Sequence, residues 1–107
     1  MSRALDTIHH MAIQVKDIAE AVSWYTDRFG CDVEYQDESW AMLKFANTLL
    51  ALVLPGQHPC HFAILAEDLS KYGAAVLHRD GTSSVYIQDI DANHVEMLKL
   101  PEDDHNK

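Results

Sequence analysis

HMAIQVKDI, at residues 10–18, is repeated about half a chain later as HFAILAEDL at residues 61–69, and this repeat is the strongest indication of the fold. The two copies keep His, Ala, Ile and Asp at the same positions. Each copy has the alternation of a β-strand and leads to an Asp that is typical of a helix N-cap. The repeat therefore predicts two similar modules that together build one site. Because imidazoles are common ligands of divalent ions, the repeated His suggests a metal.

Composition limits the possible functions. The chain has 107 residues, of which 48% are hydrophobic and 23% charged, enough for one domain with its own core. The net charge of −9 argues against a nucleic-acid surface and against docking on anionic lipid. No apolar run approaches the roughly 20 residues that a membrane span needs, and no signal peptide is recognisable, so we expect a cytoplasmic protein. Cys31 and Cys60 form no CxxC pair and are expected to be free thiols, Cys60 in the core.

Hydrophobic periodicity organises the first half of the chain. Residues 8–15 alternate as a strand with His10 on one face and His9 on the other, so His9 is interpreted as structural or as part of the N-terminal surface. Asp17 is the expected N-cap of a helix, with Glu20 as its capping-box partner. Further strands are expected at residues 31–36, 40–45 and 49–54. The sequence does not decide whether Trp40 faces a cleft or the core. The first half is thus predicted to be βαβββ.

The second half begins in the same way and then diverges. Asp68 is expected to cap a second helix, and the last strand is expected at residues 95–100. Between them, either the helix runs to about Arg79 and one strand is lost, or the helix stops near Gly73. In the second case, residues 74–79 and 82–88 form a hairpin across Asp80 and Gly81, a good tight-turn pair. We favour the hairpin.

Both closing strands end in a Leu-Pro pair, and this pair aligns the two modules. The alignment puts Glu96 of the second module opposite Leu50 of the first. A shared cleft would then receive His10, His61 and Glu96, plus one apolar position that cannot bind a metal. Two His and one carboxylate, with open positions, suit Fe²⁺, Mn²⁺ or a related divalent ion and leave room for a substrate.

These features resemble the vicinal oxygen chelate superfamily, which includes glyoxalase I, fosfomycin-resistance proteins, bleomycin-resistance proteins and extradiol dioxygenases. The resemblance covers about residues 6–101 and is carried by IHHMAIQVKDI at 8–18, Trp24-Tyr25, His61-Phe62-Ala63 and DIDANHVE at 89–96. It implies an α+β fold in which two βαβββ modules form a curved mixed sheet around a metal cleft. The modules would span about residues 6–55 and 60–101 of a single domain, with a polar tail at 102–107. The family's ligand positions fall on His10, His61 and Glu96.

The branches of the family fit the chain unequally. Glyoxalase I usually has a Glu ligand at the position assigned here to Leu50, which speaks against ordinary glyoxalase chemistry. Ala12 replaces a Thr of the fosfomycin-resistance transferases. His78, Tyr86 and Glu96 fit the spacing of an extradiol dioxygenase signature, although the acid-base His of those enzymes has no clear counterpart. Ile90 and Ala92 replace the Pro and Gly of the family's usual last turn.

The resemblance implies a metalloenzyme of lyase, isomerase or dioxygenase type that acts on a small oxygen-chelating substrate. Its cofactor would be Fe²⁺, Mn²⁺, Ni²⁺, Zn²⁺ or Co²⁺, and Tyr86 and His78 are the expected catalytic helpers. A homodimer is expected, with the site either within one chain or shared by module exchange. The alternative is a non-catalytic protein that sequesters a small ligand or antibiotic, as bleomycin-resistance proteins do.

Overall fold

A computed structural model describes residues 4–78 and 80–101. Within these ranges the chain forms eight β-strands and one α-helix, which confirms the predicted α+β class. The elements are β1 Ile8–Gln14, α1 Ile18–Arg28, β2 Asp32–Gln36, β3 Trp40–Lys44, β4 Leu49–Val53, β5 His61–Leu65, β6 Val76–Leu77, β7 Ser83–Gln88 and β8 His94–Lys99. No helix in the described residues is both long and apolar enough to cross a bilayer.

The chain divides into two compact units. The first unit is His9–Phe62, and the second unit combines residues 4–8 with the described residues at 63–78 and 80–101. The division falls inside β5, so His10 and His61 both belong to the first unit, while Glu96 belongs to the second.

The first unit has the predicted βαβββ order. Its strands lie in the order β2-β3-β4-β1, with β1 parallel to β4 and the other neighbours antiparallel, so the sheet is mixed. Asp17 caps α1 by accepting a hydrogen bond from the backbone N–H of Glu20 at 2.9 Å, as the capping signal predicts. The predicted strand ends agree with the structure to within one residue, because alternating apolar residues and turn residues mark both ends of each strand.

The core of the first unit lies between α1 and one face of its sheet. Ile18 and Val22 on the helix pack with three buried sheet residues, Ala41, Leu43 and Leu52. Leu43 and Leu52 are completely buried. Each such leucine stabilises the fold by about 1.5–3 kcal/mol relative to an exposed side chain. This packing fixes which sheet face is left for a site.

The second unit departs from the repeat where a helix was expected. A single 3-10 turn, Ser70–Tyr72, replaces the predicted helix, and Asp68 accepts a hydrogen bond from the Ser70 N–H at its start. Gly73 follows with φ of 125°, a left-handed conformation that ends the turn. The predicted second helix is therefore wrong, although its predicted end near Gly73 is right.

The hairpin alternative for the second unit is confirmed. β6 pairs antiparallel with β7, and the strand order is β5-β8-β7-β6. The His78 N–H donates to the Thr82 carbonyl at 2.7 Å and closes the connection. Arg79 and the polar tail at 102–107 lie outside the described residues.

Both cysteines are free thiols, as predicted. Cys60 is exposed, so its expected place in the core is wrong. It lies in a bend directly before β5, after the turn at residues 55–57, where strand alternation does not yet apply.

Candidate functional site

His10 lies on the sheet face of the first unit that is opposite α1. It is 7% exposed, and its register partner on β4 is Leu49. Ala12 continues the same face and pairs with Ala51. Ile13, one residue further along β1, packs into the core beneath the helix. Strand alternation thus holds the His10 imidazole away from the core, as the sequence predicts.

The His10 ring contacts a neighbour that sequence alternation assigns to the other side of the strand. The Nδ1 atoms of His9 and His10 lie 2.8 Å apart, and the two rings meet edge to face with centroids 5.1 Å apart. His9, interpreted as structural or as part of the N-terminal surface, makes a side-chain hydrogen bond to a predicted metal ligand. The His-His dipeptide was the only sequence signal for this contact.

His61 begins β5 and brings the second imidazole of the repeat to the same unit. Its ring lies edge to face with that of His10, with centroids 5.7 Å apart. The Nδ1 atom of His61 is 2.8 Å from the Pro59 carbonyl oxygen. Because a carbonyl can only accept, Nδ1 carries the proton and Nε2 keeps the lone pair that a metal ion requires. The residues before β5 therefore set this imidazole in a ligand-competent form.

The position equivalent to Glu96 in the first unit is Ala51 rather than Leu50. The Val15 N–H donates to the Val53 carbonyl at 2.8 Å, and in the second unit the Ala66 N–H donates to the Leu98 carbonyl, also at 2.8 Å. Val15 and Ala66 stand five residues after His10 and His61 respectively. Ala51 lies two residues before the acceptor Val53, and Glu96 lies two residues before the acceptor Leu98. Ala51 and Glu96 are therefore the equivalent positions.

The predicted match of Glu96 to Leu50 is therefore wrong by one residue. In a strand, a shift of one residue moves the side chain to the opposite face. Leu50 packs against the helix-side core. Ala51 is apolar as well, so the expectation of one position that cannot bind a metal remains.

Aromatic side chains continue the His10 face at its far edge. Trp40 pairs with Val53, which shares a β4 face with Leu49 and Ala51. Its ring stacks on that of Tyr35, with centroids 4.4 Å apart and planes 27° from parallel. Trp40 therefore lies on the same sheet face as His10, opposite α1. The sequence alone did not decide between this face and the core.

Glu96 lies in β8 of the second unit and is 7% exposed. Its register partner on β7 is Tyr86, one of the two predicted catalytic residues. Partial burial raises the pKa of the Tyr86 phenol, and the nearby Glu96 carboxylate adds to this shift. Tyr86 thus keeps its proton at neutral pH and offers a hydrogen-bond donor next to the carboxylate. A carboxylate as buried as Glu96 is typically paired with a cation or hydrogen-bond donors.

His78, the other predicted catalytic residue, lies at the end of β6. Its Nε2 atom is 2.7 Å from the hydroxyl oxygen of Ser84, which is 3% exposed. Ser84 lies two residues before Tyr86 on β7, so both have the same strand face. Sequence reasoning missed Ser84, because a single Ser in a strand carries no signal of its own.

A protein-family model matches nearly the whole chain. Residues 7–106 match the family model described as the glyoxalase/bleomycin resistance protein/dioxygenase superfamily. No curated protein matches the chain.

Several solved structures have a similar fold. A glyoxalase/bleomycin resistance protein/dioxygenase superfamily member from Vibrio splendidus 12B01 is 15% identical, with a TM-score of 0.68 over 89% of this chain and 99% of that one. A hypothetical protein from Bacillus halodurans C-125 is 13% identical, with a TM-score of 0.72 over 91% and 96%. A protein from Staphylococcus aureus is 14% identical, with a TM-score of 0.60 over 89% and 96%. At such identities the likeness concerns the fold alone.

Proposed function

Because this chain belongs to the glyoxalase/bleomycin resistance protein/dioxygenase superfamily, we propose that it is a divalent-metal enzyme acting on a small oxygen-chelating substrate. His10, His61 and Glu96 are the proposed ligands of the ion. The reaction would be of lyase, isomerase or dioxygenase type.

One observation carries this proposal. His10 and His61 bring two imidazoles together in the first unit, with ring centroids 5.7 Å apart. Glu96, which is 7% exposed on β8 of the second unit, is the carboxylate that would complete the ligand set. Two imidazoles and one carboxylate suit Fe²⁺, Mn²⁺, Ni²⁺, Zn²⁺ or Co²⁺ better than Ca²⁺ or Mg²⁺, which prefer oxygen ligands.

The protein residues have separate roles in this proposal. A bound ion would act as a Lewis acid towards two neighbouring oxygen atoms of a substrate. Tyr86 would donate a hydrogen bond beside Glu96, its register partner on β7. His78, oriented by Ser84, would serve as a proton carrier on the same face. The stacked Trp40 and Tyr35 rings would provide an apolar wall for the substrate.

Metal analysis of protein purified without a nickel column tests the proposal. We expect close to one divalent ion per chain in the wild-type protein, and loss of the ion in His61→Ala and in Glu96→Ala. His94→Ala is the matched control, because it removes an imidazole from the same strand as Glu96 but not from the proposed ligand set. If the wild-type protein stays folded and binds none of these ions, the proposed metal site is wrong and the ligand-sequestering alternative is supported.

Reaction type is tested next, with the metal-loaded protein. Oxygen uptake with catechols reports a dioxygenase, and isomerisation of hemithioacetals reports a glyoxalase. Tyr86→Phe and His78→Gln should slow whichever reaction is found while the metal content stays unchanged. A loss of metal in both variants would instead assign these residues to the integrity of the fold.

A further inference from the structure

The contact between His9 and His10 has a direct bearing on metal binding, because only one arrangement of its proton leaves a metal ligand. The two Nδ1 atoms are 2.8 Å apart, so one nitrogen donates and the other accepts. If His9 donates, neutral His10 carries its proton on Nε2 and has no lone pair there. If His10 donates, its Nε2 lone pair points away from His9 and can bind an ion.

We propose that His9 is a positioning residue that accepts the His10 Nδ1–H and so holds His10 in the tautomer that binds metal through Nε2. This inference rests on the proposed function, since the value of that tautomer lies in the ion. His9 itself does not touch the ion. It acts on the ring orientation and the tautomer of its neighbour, as hydrogen-bond partners of metal-binding histidines do elsewhere.

The second imidazole of the first unit supports this assignment. His61 presents its Nδ1 to the Pro59 carbonyl at 2.8 Å, and a carbonyl cannot donate. Both repeat histidines thus have a partner at Nδ1 at the same distance, and the partner of His61 allows only the Nδ1–H form. If both rings bind the ion through Nε2, His9 must accept the Nδ1–H of His10, as the Pro59 carbonyl accepts the Nδ1–H of His61.

Burial makes the choice of tautomer consequential. His10 is 7% exposed, whereas His9 is only half-buried. The buried His10 ring depends on the protein for the position of its proton.

Long-range ¹H–¹⁵N NMR spectra of the metal-free protein at about pH 8, above the usual imidazole pKa, test the inference. Protonated and unprotonated ring nitrogens have well-separated ¹⁵N shifts, and a His10→Gln variant assigns the His10 signals. We expect the His10 proton on Nδ1 in the wild type. In His9→Phe, which keeps a ring but removes the acceptor, His10 should become a mixture of tautomers. His61 should stay Nδ1–H in both proteins and serves as the internal control.

A titration with Co²⁺ adds a second readout. Affinity should fall about 10–100-fold in His9→Phe, the range found when such hydrogen-bond partners are removed. His9→Asn should stay close to wild type, because the Asn side-chain oxygen can accept the same proton.

The inference is overturned if wild-type His10 carries its proton on Nε2, or if His10 remains Nδ1–H in a folded His9→Phe protein, whatever the affinity does. Wild-type protein that binds no Co²⁺ would instead overturn the proposed function, and the metal-free spectra would still report on His9. If His9→Phe does not fold, the wild-type spectrum and the His9→Asn variant decide the question.

Discussion

Ala92 has a φ of 68°, a left-handed backbone conformation that disfavours any side chain with a Cβ atom. It closes the turn between β7 and β8, where Asp89 accepts hydrogen bonds from the backbone N–H groups of Asp91 and Asn93. These bonds hold the turn in place despite the strain at Ala92. The family's usual turn has Gly at this position, so the sequence comparison and the backbone angle identify the same residue.

We expect Ala92→Gly to raise the free energy of unfolding by about 0.5–1 kcal/mol. Relief of the left-handed strain, about 1–2 kcal/mol, exceeds the entropic cost of a glycine in the unfolded chain. Urea unfolding measures the difference. Ala46→Gly is the matched control, since Ala46 lies in an exposed turn without a positive φ and its replacement should destabilise slightly. Equal signs for the two substitutions would refute the strain argument.

Asp37 makes the stability of the β2–β3 turn depend on pH. The Tyr35 hydroxyl and the backbone N–H and hydroxyl of Ser39 all donate to the Asp37 carboxylate, with the Trp40 N–H as a further donor. These bonds, that of Tyr35 first, hold the pKa of Asp37 well below its usual range. A lowered folded-state pKa means that the stabilisation is complete above about pH 4 and is lost as the pH falls further.

Thermal unfolding between pH 2 and pH 7 tests this expectation. The melting temperature of the wild type should fall steeply below about pH 4. Asp37→Asn should be less stable at pH 7 and show a shallower acid slope. Glu38→Gln removes the same charge from the next residue and should leave the slope unchanged. Parallel pH profiles for the wild type and Asp37→Asn would contradict this role of the turn.

Individual residues also show where prediction from the sequence reached its limit. His10 and His61 were predicted because the repeat preserves the residue type at matched positions, and Glu96 was predicted from the alignment of the two closing strands. The sequence alignment on the Leu-Pro pairs matched Glu96 to Leu50. The backbone hydrogen bonds of the two modules give an alignment that differs by one residue and match Glu96 to Ala51. The partnership of His9 with His10 was missed because strand alternation places consecutive side chains on opposite faces.

At the scale of the element, α1 fixes the orientation of the site face, because its apolar stripe covers the other side of the first sheet. We expect Asp17→Ala to lower the free energy of unfolding by about 1 kcal/mol, since the Glu20 N–H loses its acceptor. Asp17→Asn keeps an acceptor and is the control. Urea unfolding distinguishes the two variants, and equal stability in both would mean that the cap contributes little here.

The second module shows why an element can be mispredicted even where its sequence signal repeats. Asp68 matches Asp17 in the repeat, yet only a 3-10 turn follows it before Gly73. The shorter second module leaves room for either a helix or the β6–β7 hairpin, and Asp80-Gly81 favours the hairpin. Asp68 accepts a hydrogen bond from the Ser70 N–H, but Leu69 is the N-cap residue of the turn, so the predicted cap at Asp68 is wrong.

At the scale of the whole molecule, an ion that binds only the folded chain must stabilise it. With free metal at about 100 times its Kd, the free energy of unfolding should rise by about 2.7 kcal/mol. For a chain of this size, that corresponds to a melting temperature higher by about 10 °C or more. Addition of EDTA should reverse the shift. Glu96→Ala should show no shift with metal, and an equal shift in that variant would place the ion elsewhere.

The expected homodimer raises the question whether each site is completed within one chain. A site within one chain needs His10, His61 and Glu96 from that same chain. His10→Ala and Glu96→Ala chains, unfolded together and refolded as a mixture, should then bind no metal. If subunits exchanged modules, a mixed dimer would regain one intact site, from His10 of one chain with His61 and Glu96 of the other. Random pairing would restore about a quarter of the wild-type metal content, because half of the dimers are mixed and each has one site of two. Metal analysis after refolding therefore separates the two arrangements, with sedimentation of the same samples to measure the fraction of dimer.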